Sequence, residues 1–249
     1  MHPVYVHIKK ELSPFYAEEE ASAMAKWISS DILHLSTLEL YTGKDMNFST
    51  KEWEELEDIL RRLKQREPLQ YILQEASFCG MSFHVEQGVL IPRPETEELV
   101  EWIVSDYREA GQVRILDIGT GSGCIPVSLA QLLPEAQVSS CDVSAEALRI
   151  AAMNIKRYGD KVTLFCADIL KEELPECQVD VLVSNPPYIT ESERTDMEAN
   201  VLDWEPELAL FVPDSDPLRF YRRIAWKGLD WLSEGGALYF EINRAYGAE

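Results

Sequence analysis

From Pro94 onward, short apolar stretches alternate with amphipathic ones, and this rhythm constrains the fold more than any other feature of the sequence. Strand candidates span 113–118, 137–143, 162–167, 179–184 and 237–242. Helix candidates lie near 124–133, 145–158 and 217–233, and a further helix, rich in first-turn acids (Glu95, Glu97, Glu98), runs to about Tyr107. Apolar strands suit a sheet covered on both faces, and strands separated by helices pair in parallel, because a parallel neighbour is reached only through a crossover. The expected class is α/β, a doubly wound, mostly parallel sheet whose ligands bind outside the carboxyl ends of the strands.

The first third has a helical period instead. Ser13-Pro14 resembles an N-cap followed by a first-turn proline, and Met24, Trp27, Ile28, Ile32 and Leu35 share one face at a spacing near 3.6. A second helix is expected from Ser49, with Glu52 completing a capping box; Trp53, Leu56, Leu60 and Leu63 form its apolar face and Pro68 lies past its end. Residues 1–70 therefore form a small helical domain. Residues 71–93 form a connector with a hairpin around Phe78 and Phe83-His84-Val85, divided by Gly80, and residues 94–249 form the sheet domain.

Composition narrows the partners. The chain of 249 residues carries 23 Lys and Arg against 44 Asp and Glu, a net charge of −21, which repels phosphate backbones and disfavours direct nucleic-acid binding. No apolar run approaches the roughly 20 residues of a membrane helix, and the N-terminus has no signal-like segment, so a soluble, cytoplasmic chain with no membrane partner is expected. The cysteines (Cys79, Cys124, Cys141, Cys166, Cys177) contain no Cys-x-x-Cys pair and are expected to be buried thiols. The histidines (His2, His7, His34, His84) have no ligand spacing, so no metal site is expected.

Two motifs carry chemistry. The first, Asp117-Ile118-Gly119-Thr120-Gly121-Ser122-Gly123, stands where a strand turns into a helix. Glycine permits a sharp turn and close approach of a ligand, and the following helix offers free N–H groups. The spacing is neither G-x-G-x-x-G nor a P-loop. Asp142, ending the second strand, can accept both hydroxyls of a ribose, and Asp168, ending the third, can face an adenine amino group. The alternative is that both acids cap the helices that follow, although Ser144 is itself a good cap after Asp142.

The second motif, Asn185-Pro186-Pro187-Tyr188, follows the fourth strand at the same sheet edge. An amide or aromatic amino nitrogen is a poor nucleophile because its lone pair is delocalised, and an enzyme alkylating it must hold both N–H bonds with acceptors. The Asn185 side-chain oxygen and the Pro186 carbonyl are candidates, and the Tyr188 ring can pack on the planar group being held. Taken alone, the motif also fits a plain turn.

Both motifs together resemble the class I S-adenosylmethionine-dependent methyltransferases. Glu67-Pro68-Leu69-Gln70-Tyr71 and the stretch Leu90-Ile91-Pro92-Arg93-Pro94-Glu95-Thr96-Glu97 make the resemblance specific to the HemK/PrmC family of peptide chain release factor N5-glutamine methyltransferases. The resemblance implies S-adenosylmethionine as cofactor, bound by Asp117, Gly119, Thr120, Gly121, Ser122, Gly123, Asp142, Asp168, Ile169 and Asn185. It implies release factors as protein substrates, their glutamine held by Asn185, Pro186, Pro187 and Tyr188, with Asn185, Pro186 and Tyr188 catalytic. Three departures stand out. Ile169 replaces an aromatic residue, Phe211 to Pro217 replaces a glycine-rich turn, and the family's seven strands are not reached, so a C-terminally truncated sheet with an exposed fifth strand is expected. A monomer is expected. Rival readings are a ribosomal-protein glutamine or nucleobase amino methyltransferase, which share the motif, and a catalytically silent acidic binding module.

Overall fold

A computed structural model of the chain describes residues 1–43, 48–171 and 178–247. It divides into two compact units, Met1–Leu73 and Gln74–Glu249.

The first unit is helical: α1 (Pro3–Leu12), α2 (Glu18–Trp27), α3 (Thr37–Thr42), α4 (Thr50–Lys64) and α5 (Leu69–Leu73). Ser13-Pro14 ends a helix rather than starting one. The Ser13 N–H and hydroxyl both return to the Lys9 carbonyl, while Pro3 occupies the first turn of α1 behind His2. Helix α2 begins instead at Glu18, with Glu18, Glu19 and Glu20 at the positive end of its dipole. Met24 and Ile28 are buried, but the backbone widens into a π turn over Ile28–Ile32 and leaves the helix, so Leu35 reaches the core from a loop. The capping box of α4 forms as expected, Ser49 Oγ accepting from the Glu52 N–H and the Glu52 carboxylate accepting from the Ser49 N–H. Leu56, Leu60 and Leu63 are fully buried, each contributing about 1.5–3 kcal/mol. Trp53 stays at the edge, 40% exposed, in edge-to-face contact with His7 and Phe48. Leu69–Leu73 is helical and joins this unit's core through Leu69 and Ile72.

The second unit opens with the hairpin β1 (Ala76–Phe78) and β2 (Met81–Phe83), whose turn places both Cys79 and Gly80 at positive φ, the geometry that matches strand twist. Helix α6 (Pro94–Tyr107) follows, and then β3 (Arg114–Ile118), α7 (Cys124–Leu132), β4 (Gln137–Asp142), α8 (Ala145–Arg157), β5 (Val162–Cys166) and β6 (Val179–Ser184). A two-strand ribbon, β7 (Ile189–Thr190) with β8 (Phe211–Val212), encloses α9 (Ala199–Trp204) and α10 (Glu207–Leu210). Helix α11 (Arg219–Trp231) then leads into β9 (Leu232–Phe240). Strand β9 begins earlier and ends sooner than its pattern indicates. Leu232 pairs with Val179, the register breaks, and pairing resumes at Ala237 with Val181, leaving Ile242 outside the sheet and exposed.

The five long strands are all parallel, in the order β5-β4-β3-β6-β9. The chain runs outward from β3 through β4 to β5, then returns to β6 beside β3. The strand order therefore reverses between β3 and β6, the place where open α/β sheets bind ligands. Two cores flank the sheet, one holding Ile103, Ile115 and Leu129, the other Leu116, Leu182 and Ile224. Among the described cysteines Cys124 and Cys141 are buried, Cys79 is half-buried and Cys166 is exposed; Cys177 lies outside the described residues. No described helix is long and apolar enough to cross a membrane.

Candidate active site

The glycine bend follows β3 directly. The N–H groups of Gly119 and Thr120 both donate to the Cys141 carbonyl, at 2.9 and 3.0 Å, fastening the bend to the end of β4. Gly119 and Gly121 have positive φ, and a Cβ on either would meet only open space, so their bare backbone faces the cavity. Gly123 has a different place: it starts α7, a Cβ there would stand 3.3 Å from the Ala151 Cα, and it does not line the cavity. Its lack of a side chain lets α7 start against α8.

Asp142 is held by two backbone donors, Gly121 N–H on Oδ2 at 3.0 Å and Ser144 N–H on Oδ1 at 2.9 Å. A carboxylate offers about four acceptor positions, so each oxygen keeps capacity for a ligand hydroxyl. Ser144, not Asp142, caps α8, accepting from the Ala147 N–H. Asp168 Oδ1 accepts from the Leu170 N–H, and Oδ2 pairs with Lys171 at 3.4 Å. Asp142, Asp168 and the buried Ile169 all line one cavity with Thr120, Ser122, Asn185, Pro186 and Pro187, a space of about 1100 Å³ open to solvent. The outer walls come from Val89 and Leu90 before α6 and from Phe220 and Ile224 on α11.

Asn185 follows β6 as Gly119 follows β3, and Ser184 Oγ donates to the Ile118 carbonyl at 2.6 Å, tying the two strand ends together. Tyr188 does not line the cavity. Its half-buried hydroxyl donates to Glu241 Oε1 at 3.0 Å, and burial, followed by the charge of Glu241, pushes its pKa upward. After Tyr188 the chain enters β7 and pairs with Phe211–Val212, so the segment that departs from the family's glycine-rich turn begins as a partner strand of the motif's exit.

Asp117 lies under the bend, fully buried. Ser140 Oγ donates to its Oδ2 at 2.6 Å, while its Oδ1, Thr120 Oγ1 and Ser122 Oγ are buried without hydrogen-bond partners. Desolvation, with a further contribution from the charge of Asp142, raises its pKa from 3.8 to about 7.

A model of the PrmC N-terminal domain matches residues 5–73, and one of the Methyltransferase small domain matches residues 96–203. A release factor glutamine methyltransferase of Bacteroides thetaiotaomicron is 51% identical over 100% of this chain and 89% of its own length. Its namesake in Flavobacterium psychrophilum is 42% identical over 96% of this chain and 85% of its own. A third, from Streptococcus pneumoniae, is 40% identical over 92% and 81%.

The chain belongs to the release factor glutamine methyltransferase family. In this member Glu205 and Asn154, neither of them part of a motif, shape the site. Glu205, its side chain 2% exposed, pairs with Arg93 and accepts from the Ile91 N–H at 3.1 Å, drawing the Glu205-Pro206 loop onto the Ile91-Pro92-Arg93 segment beside the cavity. Asn154, fully buried on α8, donates from Nδ2 to the carbonyls of His84 and Ser122 and accepts from the His84 N–H, joining the hairpin's exit to the glycine bend. The available signal was polarity in an otherwise apolar stripe, Asn154 between Ile150, Ala151 and Ile155; Glu205 gave none.

The burial of Asp117 makes this family member's stability pH-dependent. The folded state retains the Asp117 proton up to about pH 7 while the unfolded chain releases it near 3.8, so its contribution is full below the lower value and is lost as pH rises through the upper. Asp117→Asn keeps an acceptor for Ser140 and cannot ionise. Urea unfolding of ligand-free protein between about pH 4.5 and 7.5 should show wild-type stability falling more steeply than that of the variant; parallel curves would refute the buried-acid assignment.

Proposed function

We propose that this chain transfers a methyl group from S-adenosylmethionine to the side-chain N5 of the glutamine in the Gly-Gly-Gln motif of peptide chain release factors. The observation that carries the reading is the common opening of the glycine bend and the Asn185 turn into one cavity, from adjacent strands β3 and β6. The residues present fit the cofactor. Gly119 and Gly121 leave room for close approach, and Thr120 and Ser122 present buried hydroxyls without partners. Asp142 retains acceptor capacity for ribose hydroxyls, and Asp168 and Ile169 offer a polar edge and an apolar face for adenine. Asp117 supports the bend from below, and Gly123 contributes by allowing α7 to start close to α8.

When bound, S-adenosylmethionine supplies an electrophilic methyl group on a positively charged sulfur. The chain contributes position and electrostatics. Asn185 Oδ1 and the Pro186 carbonyl accept the two N–H bonds of the substrate amide, which turns the nitrogen lone pair toward the methyl group. As the N–CH₃ bond would form, the S–CH₃ bond would break to leave a neutral thioether. The positive charge would pass to the nitrogen until it gives up one of its two protons to solvent, so these acceptors would bind the transition state more tightly than the ground state. Pro186 fixes φ so that its carbonyl has a defined direction, and Tyr188 acts from behind the turn through Glu241.

A glutamine side chain offers little surface for discrimination, so we assign recognition of the whole release factor to the helical unit together with the acidic surface. The Gly-Gly-Gln end of a release factor is presented to ribosomal RNA and is expected to be basic, which matches a chain of net charge −21 and disfavours the nucleobase reading. The reading is of a monomer that works in the cytoplasm alongside its release factor substrate.

Four measurements test this reading. With labelled cofactor and a whole release factor, mass spectrometry should locate one added methyl on the Gly-Gly-Gln glutamine, and Asn185→Ala should lower kcat by roughly 100-fold or more; normal turnover by the variant would remove Asn185 from the chemistry. Calorimetry should show Asp142→Ala binding S-adenosylmethionine roughly 10-fold more weakly or worse, and unchanged affinity would refute the ribose contact. Raising salt from about 50 to about 300 mM should raise KM for the release factor with little change in kcat, whereas a flat KM would exclude charge-guided recognition.

A further inference from the structure

A carboxamide turned over exchanges an acceptor for a donor, so an Asn that must accept from a substrate has to be held against rotation. Asn185 is held by residues distant in sequence. Its Nδ2 donates to Thr96 Oγ1 at 3.2 Å, and the Thr96 hydroxyl donates to Glu241 Oε2 at 2.6 Å. The single Thr96 proton is committed to an oxygen of a carboxylate, so the Thr96 oxygen can only receive from Asn185, and the group facing it must be the NH₂. The Asn185 Oδ1 accepts no hydrogen bond from the described residues and is left as the free acceptor of a residue that lines the cavity.

Glu241 is itself fixed. Its N–H donates to the Ser184 carbonyl at 3.2 Å, its own carbonyl accepts from the Tyr221 hydroxyl at 3.1 Å, and its second carboxylate oxygen accepts from Tyr188 at 3.0 Å. Thr96 is 3% exposed in the first turn of α6. The carboxylate thus gathers the first and last residues of the Asn-Pro-Pro-Tyr turn, one through Thr96 and the other directly.

We propose that Thr96 and Glu241 are positioning residues for methyl transfer, acting as a relay that locks the Asn185 amide with its oxygen toward the substrate. The proposal rests on the glutamine methyltransferase reading, but its structural half stands apart from turnover. Thr96→Val removes the hydroxyl while keeping the shape, and Thr96→Ser restores it. With a release factor substrate, kcat of Thr96→Val should fall roughly 10- to 100-fold while KM changes little, and Thr96→Ser should recover to within about 3-fold of wild type. Calorimetric affinity for S-adenosylmethionine should be the same in all three, and thermal melts report whether each variant is folded.

In ¹⁵N-labelled protein, the Asn185 side-chain amide, assigned by its loss in Asn185→Asp, should exchange slowly with water in wild type and Thr96→Ser and rapidly in Thr96→Val. Unchanged kcat and unchanged exchange in folded Thr96→Val would overturn the relay. So would a Thr96→Ser variant as impaired as Thr96→Val, because the role would then belong to the methyl group's packing. A wild-type chain that methylates no release factor, yet shows the protected amide, would sink the functional reading and leave the amide lock standing.

Discussion

The parallel ladder between β3 and β6 is the constraint on which the site depends. Ile115 pairs with Val181 and Asp117 with Val183, so both strands end at one level and their loops leave side by side. The Ser184 hydroxyl on the Ile118 carbonyl fastens those ends at the last residues before the loops diverge. A bend suited to a compact polar ligand and a turn suited to a planar amide thereby share one cavity. Each would be a generic loop if the strands were not neighbours.

Three glycines within five residues do two different jobs. Gly119 and Gly121 leave open space where a side chain would stand, and Gly123 leaves room for Ala151 of the neighbouring helix. Beneath them Asp117 is buried with one of its oxygens unpaired, beside the unpaired hydroxyls of Thr120 and Ser122. Unsatisfied buried polar groups and a desolvated acid cost stability, and such costs concentrate where a protein keeps a binding site ready. The opposite arrangement holds behind the Asn-Pro-Pro-Tyr turn. There Thr96, Glu241 and Tyr188 satisfy one another and the NH₂ of Asn185, leaving the Asn185 Oδ1 open, so that side chains from α6 and from the residue after β9 hold the turn.

Much of this was legible in the sequence. Apolar strand segments separated by amphipathic helices identified the sheet, and the predicted strand 179–184 coincides with β6 because Val179, Val181, Leu182 and Val183, interrupted only by Asp180, are followed at once by the Asn-Pro-Pro-Tyr turn. The Ser49–Glu52 box is local chemistry and was readable as such. Ser13-Pro14 misled because a serine before a proline fits either end of a helix; which applies depends on whether its hydroxyl finds a carbonyl four residues back. The long β9 was read short because Ser233 to Gly236 lack β propensity and belong to the strand only through the irregular pairing with β6.

Local periodicity and backbone preference act over a few residues, and so the sequence alone determined the alternation of the main strands and helices, the strand-to-helix glycine bend and the Asn-Pro-Pro-Tyr turn after β6. Tertiary structure alone decided the order β5-β4-β3-β6-β9, the division of labour among the glycines and the partners of Asn185. Thr96 and Glu241 are 145 residues apart, as Ile91 and Glu205 are 114 apart. No spacing rule links such pairs, because a hydrogen bond is sensitive to fractions of an ångström and that distance is set by how a whole sheet stacks its strands.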